Sequence, residues 1–217
     1  MTQRSLEIEM QPDESLLADF RSVLRANNAL LVHFSSEMAT FGREYPYDLI
    51  DCMANPQWEL ATCTVLPTSM AATLPPGGHI GLILDPNRGA SVVKVHSGKH
   101  MDAGSSVDAK TGKRVGFGQE PTLESMRANL IPQETYTEWV LKDCTVRGVF
   151  LYNVNNMTCF KSHKDPIYGK VQTPVTIKDV FPIFPILRII TNSNGNYVEI
   201  QPDLSTRMIE HNAIYPW

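Results

Sequence analysis

Thr135-Tyr136-Thr137-Glu138-Trp139-Val140-Leu141-Lys142-Asp143, followed by Thr145-Val146-Arg147-Gly148-Val149-Phe150-Leu151-Tyr152, is the stretch that decides the fold. Aromatic and β-branched residues suit a pleated, half-buried surface, so residues 135–142 and 145–153 read as strands. The first run carries one carboxylate, Glu138, in an otherwise strand-like setting. By alternation such a group either points to solvent or lines a cleft.

Working outward, further strands are expected at residues 29–34, 60–66, 79–84 and 90–96. Pro75-Pro76-Gly77-Gly78 turns the chain into 79–84, and Asp85-Pro86-Asn87-Arg88-Gly89 turns it into 90–96. That second turn predicts a hairpin between those two strands. Leu16, Leu17, Phe20, Val23 and Leu24 recur at helical spacing. They predict a helix over 13–27, capped by Asp13 or Ser15 and stopped at Asn27-Asn28. Shorter helices are expected near 47–54 and 121–130. Residues 97–118 have no apolar period and read as a long surface loop. The prolines of Phe181-Pro182-Ile183-Phe184-Pro185 limit pairing there to an edge or a bulge. Residues 192–196 then turn into Tyr197-Val198-Glu199-Ile200. The expected fold is one domain over residues 1–217. It is α+β, strand-rich and mostly antiparallel, with an N-terminal helix.

Composition narrows the functional classes. The 217 residues are 42% hydrophobic and 19% charged, ordinary values for a globular chain able to bury a sizeable core. A net charge of −4 argues against a broad electropositive face, so a nucleic-acid partner would need a local basic groove. No apolar run approaches the ~20 residues of a membrane helix, and the polar start lacks a secretory core, which predicts a cytoplasmic protein with no membrane partner. Cys52, Cys63, Cys144 and Cys159 form no CxxC pair. Reduced thiols are therefore expected, not a disulfide frame or a zinc site. His96, His100 and Asp102 lack a fourth ligand at a sensible spacing, so no metal is expected. The glycines at 112, 116 and 118 make no dinucleotide fingerprint.

One set of chemical candidates is thiol-based. Cys63 lies in Ala61-Thr62-Cys63-Thr64, with His79 and His96 on the following strands. A nucleophilic cysteine needs a base within hydrogen-bond reach and a third group to orient that base. Gly78-His79-Ile80-Gly81-Leu82-Ile83 resembles the histidine strand of NlpC-type cysteine peptidases, and Cys52 alone stands where that family puts its thiol. Cys63 with Val95-His96-Ser97-Gly98 resembles the toxin-type glutamine deamidases. The expectation from this set is a cysteine hydrolase or glutamine deamidase using Cys63 with His79 or His96.

The second set joins Leu31-Val32-His33-Phe34-Ser35 to Tyr136-Thr137-Glu138-Trp139-Val140-Leu141-Lys142-Asp143. With Val146-Arg147-Gly148-Val149-Phe150, these segments resemble the H-Y-E branch of the ADP-ribosyltransferase superfamily. That branch includes the poly(ADP-ribose) polymerases and the DarT-type modifiers. The resemblance implies a split-sheet, NAD-dependent mono-ADP-ribosyltransferase, a bacterial or phage-related toxin or modifier. It makes Glu138 catalytic and NAD the ADP-ribose donor. His33, Phe34, Ser35, Tyr47 and Thr64 would surround NAD, and Arg114, Arg127 and Tyr136 would meet an acceptor. The implied acceptor is nucleic acid (RNA or DNA) or protein, with a cognate antitoxin as a further partner. The chemistry suits one carboxylate, because cleaving the nicotinamide bond builds positive charge on the ribose. A third reading is a non-catalytic immunity or antitoxin protein, in which both clusters are merely core and surface.

Overall fold

The computed structural model describes residues 2–35, 48–69, 80–95, 105–107, 114–116, 118–128, 130, 138–152, 159–165 and 169–217. A long helix, α1 (Thr2–Asn27), leads into β1 (Leu30–Phe34), and Asn28 takes a left-handed φ of 50° at the corner between them. There follow α2 (Asp48–Ala54), β2 (Leu60–Val65), β3 (Ile80–Pro86) and β4 (Val92–Val95). β5 (Ser105–Val107), β6 (Arg114–Gly116), α3 (Leu123–Ala128), β7 (Glu138–Leu141) and β8 (Cys144–Leu151) come next. The chain continues through β9 (Cys159–Asp165), β10 (Gly169–Val175), α4 (Ile177–Ile183), β11 (Ile189–Ser193), β12 (Asn196–Ile200), β13 (Thr206–Met208) and α5 (His211–Ile214).

Nine strands form one sheet in the order β13-β12-β11-β8-β3-β1-β2-β7-β4, while β5–β6 and β9–β10 are separate two-stranded ribbons. All pairs are antiparallel except β8–β11. The expected strand-rich, mostly antiparallel α+β domain with an N-terminal helix holds. Its main sheet is continuous where the resemblance implied a split one. β1 is central because nearly every residue in it is apolar and buried, so both of its edges need partners. Each fully buried Leu, Ile or Val there contributes about 1.5–3 kcal/mol.

Chain length forces the sheet to curl. From β8 to β7 there are four inter-strand spacings, ~19 Å if the sheet were flat. Only Lys142 and Asp143 link Leu141 to Cys144, and three Cα steps reach ~11 Å. The two strands meet because the sheet bends round to bring their ends together. Asp143 makes the reversal with φ 50°. Its N–H donates to the Pro56 carbonyl, and its own carbonyl accepts the Asn87 N–H.

A second consequence of curvature lies between β1 and β3. Their pairing stops at Val32–Ile83. Beyond it the Tyr215 hydroxyl enters the gap, accepting the Leu31 N–H at 3.1 Å and donating to the Leu84 carbonyl at 2.7 Å. A buried phenol thus stands in for one missing rung of the ladder.

Several expectations are corrected. β3 and β4 make no hairpin, since β1, β2 and β7 stand between them. β3 is buried throughout and takes β1 and β8 as partners, and a 3-10 turn (Gly89–Ser91) carries the chain away. Asp13 does not open α1, which starts at Thr2; its carboxylate accepts the Ala90 N–H instead. The 97–118 loop contains the β5–β6 ribbon. The proline-bearing run 181–183 closes α4, and β11 after it is an interior strand between β8 and β12.

Gly81 shows how tightly β3 fits β1. A Cβ there would lie 2.5 Å from Val32 Cγ1 and 2.8 Å from the His33 carbonyl oxygen. Gly81→Ala is expected to cost about 1–3 kcal/mol in urea unfolding, and an unchanged midpoint would contradict this packing.

Candidate functional site

β1 and α2 build the most chemically organised corner of the described molecule. α2 places Leu49, Cys52 and Met53 three and four residues apart, so they share the stripe that meets the core. This turns Cys52 toward His33, the one titratable residue on an otherwise apolar central strand. Cys52 Sγ lies 3.6 Å from His33 Nε2, and His33 Nδ1 lies 2.7 Å from the Ala61 carbonyl oxygen.

That geometry fixes the tautomer. A carbonyl only accepts, so Nδ1 carries the proton and donates to Ala61. Nε2 then presents a lone pair to the thiol, and Cys52 Sγ–H donates to it. Burial holds the His33 imidazole below its ordinary value of 6.5, outweighing the Ala61 hydrogen bond and the Asp48 charge, which act upward. Burial, then the Asp48 and Asp51 carboxylates, pushes the Cys52 thiol up to about 11. At neutral pH the pair is a neutral thiol hydrogen-bonded to a neutral, oriented imidazole. Beside it the Ser35 hydroxyl donates to Asp48 Oδ1 at 2.5 Å, while the Ser35 N–H is held by the Ile80 carbonyl.

Cys52 also lines a cavity of about 20 Å³ shared with Leu82, Leu84, Asp143 and Cys144. That is room for one water. Cys144 is no second nucleophile: its thiol donates to the Lys142 carbonyl, and burial with Asp85 and Asp143 pushes it up to about 12. Among the described residues no group of His, Cys, Asp and Glu could hold a metal ion.

The residues singled out from sequence scatter. Glu138, partly buried, opens β7 opposite Cys63, which in turn stands opposite Val32. His33 follows Val32, so alternation sends it to the other face of the sheet from the Val32–Cys63–Glu138 row. Phe34 is a core ring, edge-on to Phe150 at 6.2 Å. Ser35 and Thr64 are buried polar residues of the same interior. Arg127 is exposed on α3, and Arg114 begins β6. Cys63 is 2% exposed, with its thiol directed to the Thr64 carbonyl. It packs as a small hydrophobe, unlike the accessible nucleophile of the hydrolase expectation. Tyr47, Tyr136, His79 and His96 lie outside the described residues.

The pairing of Cys52 with His33 escaped sequence reasoning, which gave the histidine to NAD, named Cys52 only as the thiol position of the peptidase likeness, and settled the thiol role on Cys63. The available signal was a lone histidine in Leu30-Leu31-Val32-His33-Phe34, which needs a polar partner if buried, and a cysteine on the apolar stripe of the next helix. The described helices include none long and apolar enough to cross a membrane. No family model, no curated protein and no solved structure matches this chain.

Proposed function

We propose that the chain is a thiol-dependent acyl-transfer enzyme, with Cys52 as nucleophile and His33 as general base. The observation that carries this reading is the 3.6 Å Cys52–His33 contact with Nδ1 committed to Ala61. Nucleophile, base and orienting group are then all present. The thiol rests un-ionised, so the pair works as a serine–histidine pair does. Sγ forms a bond to the substrate carbonyl carbon while its proton passes to Nε2. The Ala61 carbonyl and the nearby Asp48 carboxylate favour the resulting imidazolium. That imidazolium then protonates the leaving amine or alcohol as its bond to carbon breaks. Water, deprotonated by the same Nε2, cleaves the thioester and restores the thiol. The substrate class is an amide or ester of a carboxylic acid. Incubation with p-nitrophenyl acetate followed by peptide mass mapping tests this: an acetyl group on Cys52 is expected. Acetylation that spares Cys52 would overturn the assignment.

ADP-ribosyl transfer from NAD through Glu138 is the second reading. It is favoured by the partly buried place of Glu138 at the head of β7, where a carboxylate is held by the sheet next to Cys63. Under this reading nicotinamide is released from NAD when RNA, DNA or cell protein is supplied. Glu138→Gln is expected to lower that release by about 10²-fold or more, as removal of a charge-stabilising group does, without changing the circular dichroism spectrum. Equal release from both proteins would dispose of it.

A further inference from the structure

The geometry points to a binding site for an uncharged saccharide over β11, β12 and β13. A cavity of about 590 Å³ opens there, within the range of small-molecule sites. Its floor follows from register. Thr191 stands opposite Val198, and Ile200 stands between Ile189 and Thr206, so alternate positions of neighbouring strands share one face. Tyr197, which precedes Val198 and so alternates to the other face, serves the rest of the fold, its hydroxyl donating toward the carbonyls of Asn28 and Val65.

The rim is built and held. The Asn192 side-chain amide donates to the carbonyls of Pro67 and Ser69, fastening the segment after β2 against the sheet. The turn between β11 and β12 has left-handed φ values at both Asn194 and Gly195, a tight two-residue reversal that brings its backbone over Thr68. Both Asn194 and Gly195 line the cavity.

One atom says that something belongs inside. Thr191 lines the cavity and is 4% exposed, yet its Oγ1 has no hydrogen-bond partner among the described residues. An orphaned buried hydroxyl is costly, and a ligand hydroxyl would satisfy it.

Chemistry selects the ligand class. Charged residues make up 19% of the chain, yet none of the described residues lining this cavity is charged, so none of them would neutralise a phosphate, carboxylate or ammonium. The lining mixes hydroxyls and amides with Ile177, Val198, Ile200 and Leu204, and Tyr152 supplies a ring edge or face. A neutral sugar presents the same mixture, hydroxyls around its rim and C–H groups on its ring faces. Cys52 and His33 are not part of this lining, so the site stands independently of the acyl-transfer reading.

Calorimetric titration of the full chain with glucose, galactose, N-acetylglucosamine and cellobiose tests the inference. Saturable binding of at least one is expected, with glucose 6-phosphate weaker than glucose. Thr191→Val removes the hydroxyl at constant shape. It should weaken binding about tenfold, the usual share of one hydrogen bond. Its melting temperature should equal or exceed wild type, because the removed group has no partner. Thr206→Trp, at an exposed position on the edge strand, should abolish binding by filling the cavity. No saturable binding by any of the four sugars, or equal binding by both variants, would overturn the inference. So would a lower melting temperature for Thr191→Val.

Discussion

His33→Asn is expected to slow acetylation of Cys52 by about 10²–10⁴-fold, the span a positioned general base supplies, and Cys52→Ala to remove the adduct altogether. Asparagine keeps a side-chain donor for the Ala61 carbonyl but offers no basic nitrogen to the thiol. Rate is therefore lost while the local hydrogen bond has a replacement. The pH profile separates the two members of the pair. The imidazole is held below 6.5, so it remains an unprotonated base through neutrality. Acetylation should accordingly fall only on the acid side of that value. The thiol lies at about 11, so alkylation by iodoacetamide should keep rising through pH 8, 9 and 10 without a plateau. A plateau near neutrality would mean a resting thiolate–imidazolium pair and would overturn this account of the site.

The acid limb must be read alongside stability, and the sign is determined. His33 and His211 both have folded pKa values below the ordinary one, chiefly through burial. The unfolded chain then binds protons more readily than the folded one. Stability is present above pH 6.5 and declines as the pH falls below it. Parallel circular dichroism distinguishes a base that has been protonated from a fold that has been lost.

Asp85→Ala is expected to be the most destabilising single change outside the apolar core, about 3–5 kcal/mol for breaking a buried ion pair on one side. Asp85 is 1% exposed on β3, and its Oδ2 accepts both Nε and Nη2 of Arg147, at 2.8 and 2.5 Å. Its Oδ1 accepts the Trp217 indole N–H at 3.0 Å, and Arg21 stands 3.9 Å away. Removing the carboxylate leaves the Arg147 guanidinium and the indole donor without their acceptor. It also frees the C-terminal aromatics, since Trp217 stacks on Tyr215 at 5.0 Å beneath the guanidinium groups of Arg21 and Arg25. Tyr215 is the residue whose hydroxyl spans β1 and β3, so the damage reaches the strand that carries His33. Urea unfolding measures the effect. Removing both partners, as Asp85→Leu with Arg147→Met, should recover much of it, because no charge is then left buried alone. A loss below about 1 kcal/mol for Asp85→Ala would show the pair to be as weak as a surface one.

Much of the fold was legible because it is written at short range. Leu30-Leu31-Val32-His33-Phe34 reads as a buried strand from its own composition, and Leu16, Phe20 and Val23 announce a helix by their spacing. Asn194-Gly195 marks its turn through the φ values that only such residues adopt cheaply. Pairing was not legible. Glu138-Trp139-Val140-Leu141 and the strand from Cys144 are adjacent in sequence, yet three strands part them in the sheet, because curvature rather than proximity along the chain chose their neighbours. The site followed the same division. The sequence supplied a thiol, an imidazole and a carboxylate as candidates. Which thiol met which imidazole depended on how α2 docks on β1, and which face Glu138 took depended on its register with Cys63. Local pattern specifies periodicity and turns through bonded geometry and burial. Contacts between distant residues come from the packing of whole elements, and that packing set Cys52 against His33 and left the Thr191 hydroxyl without a partner.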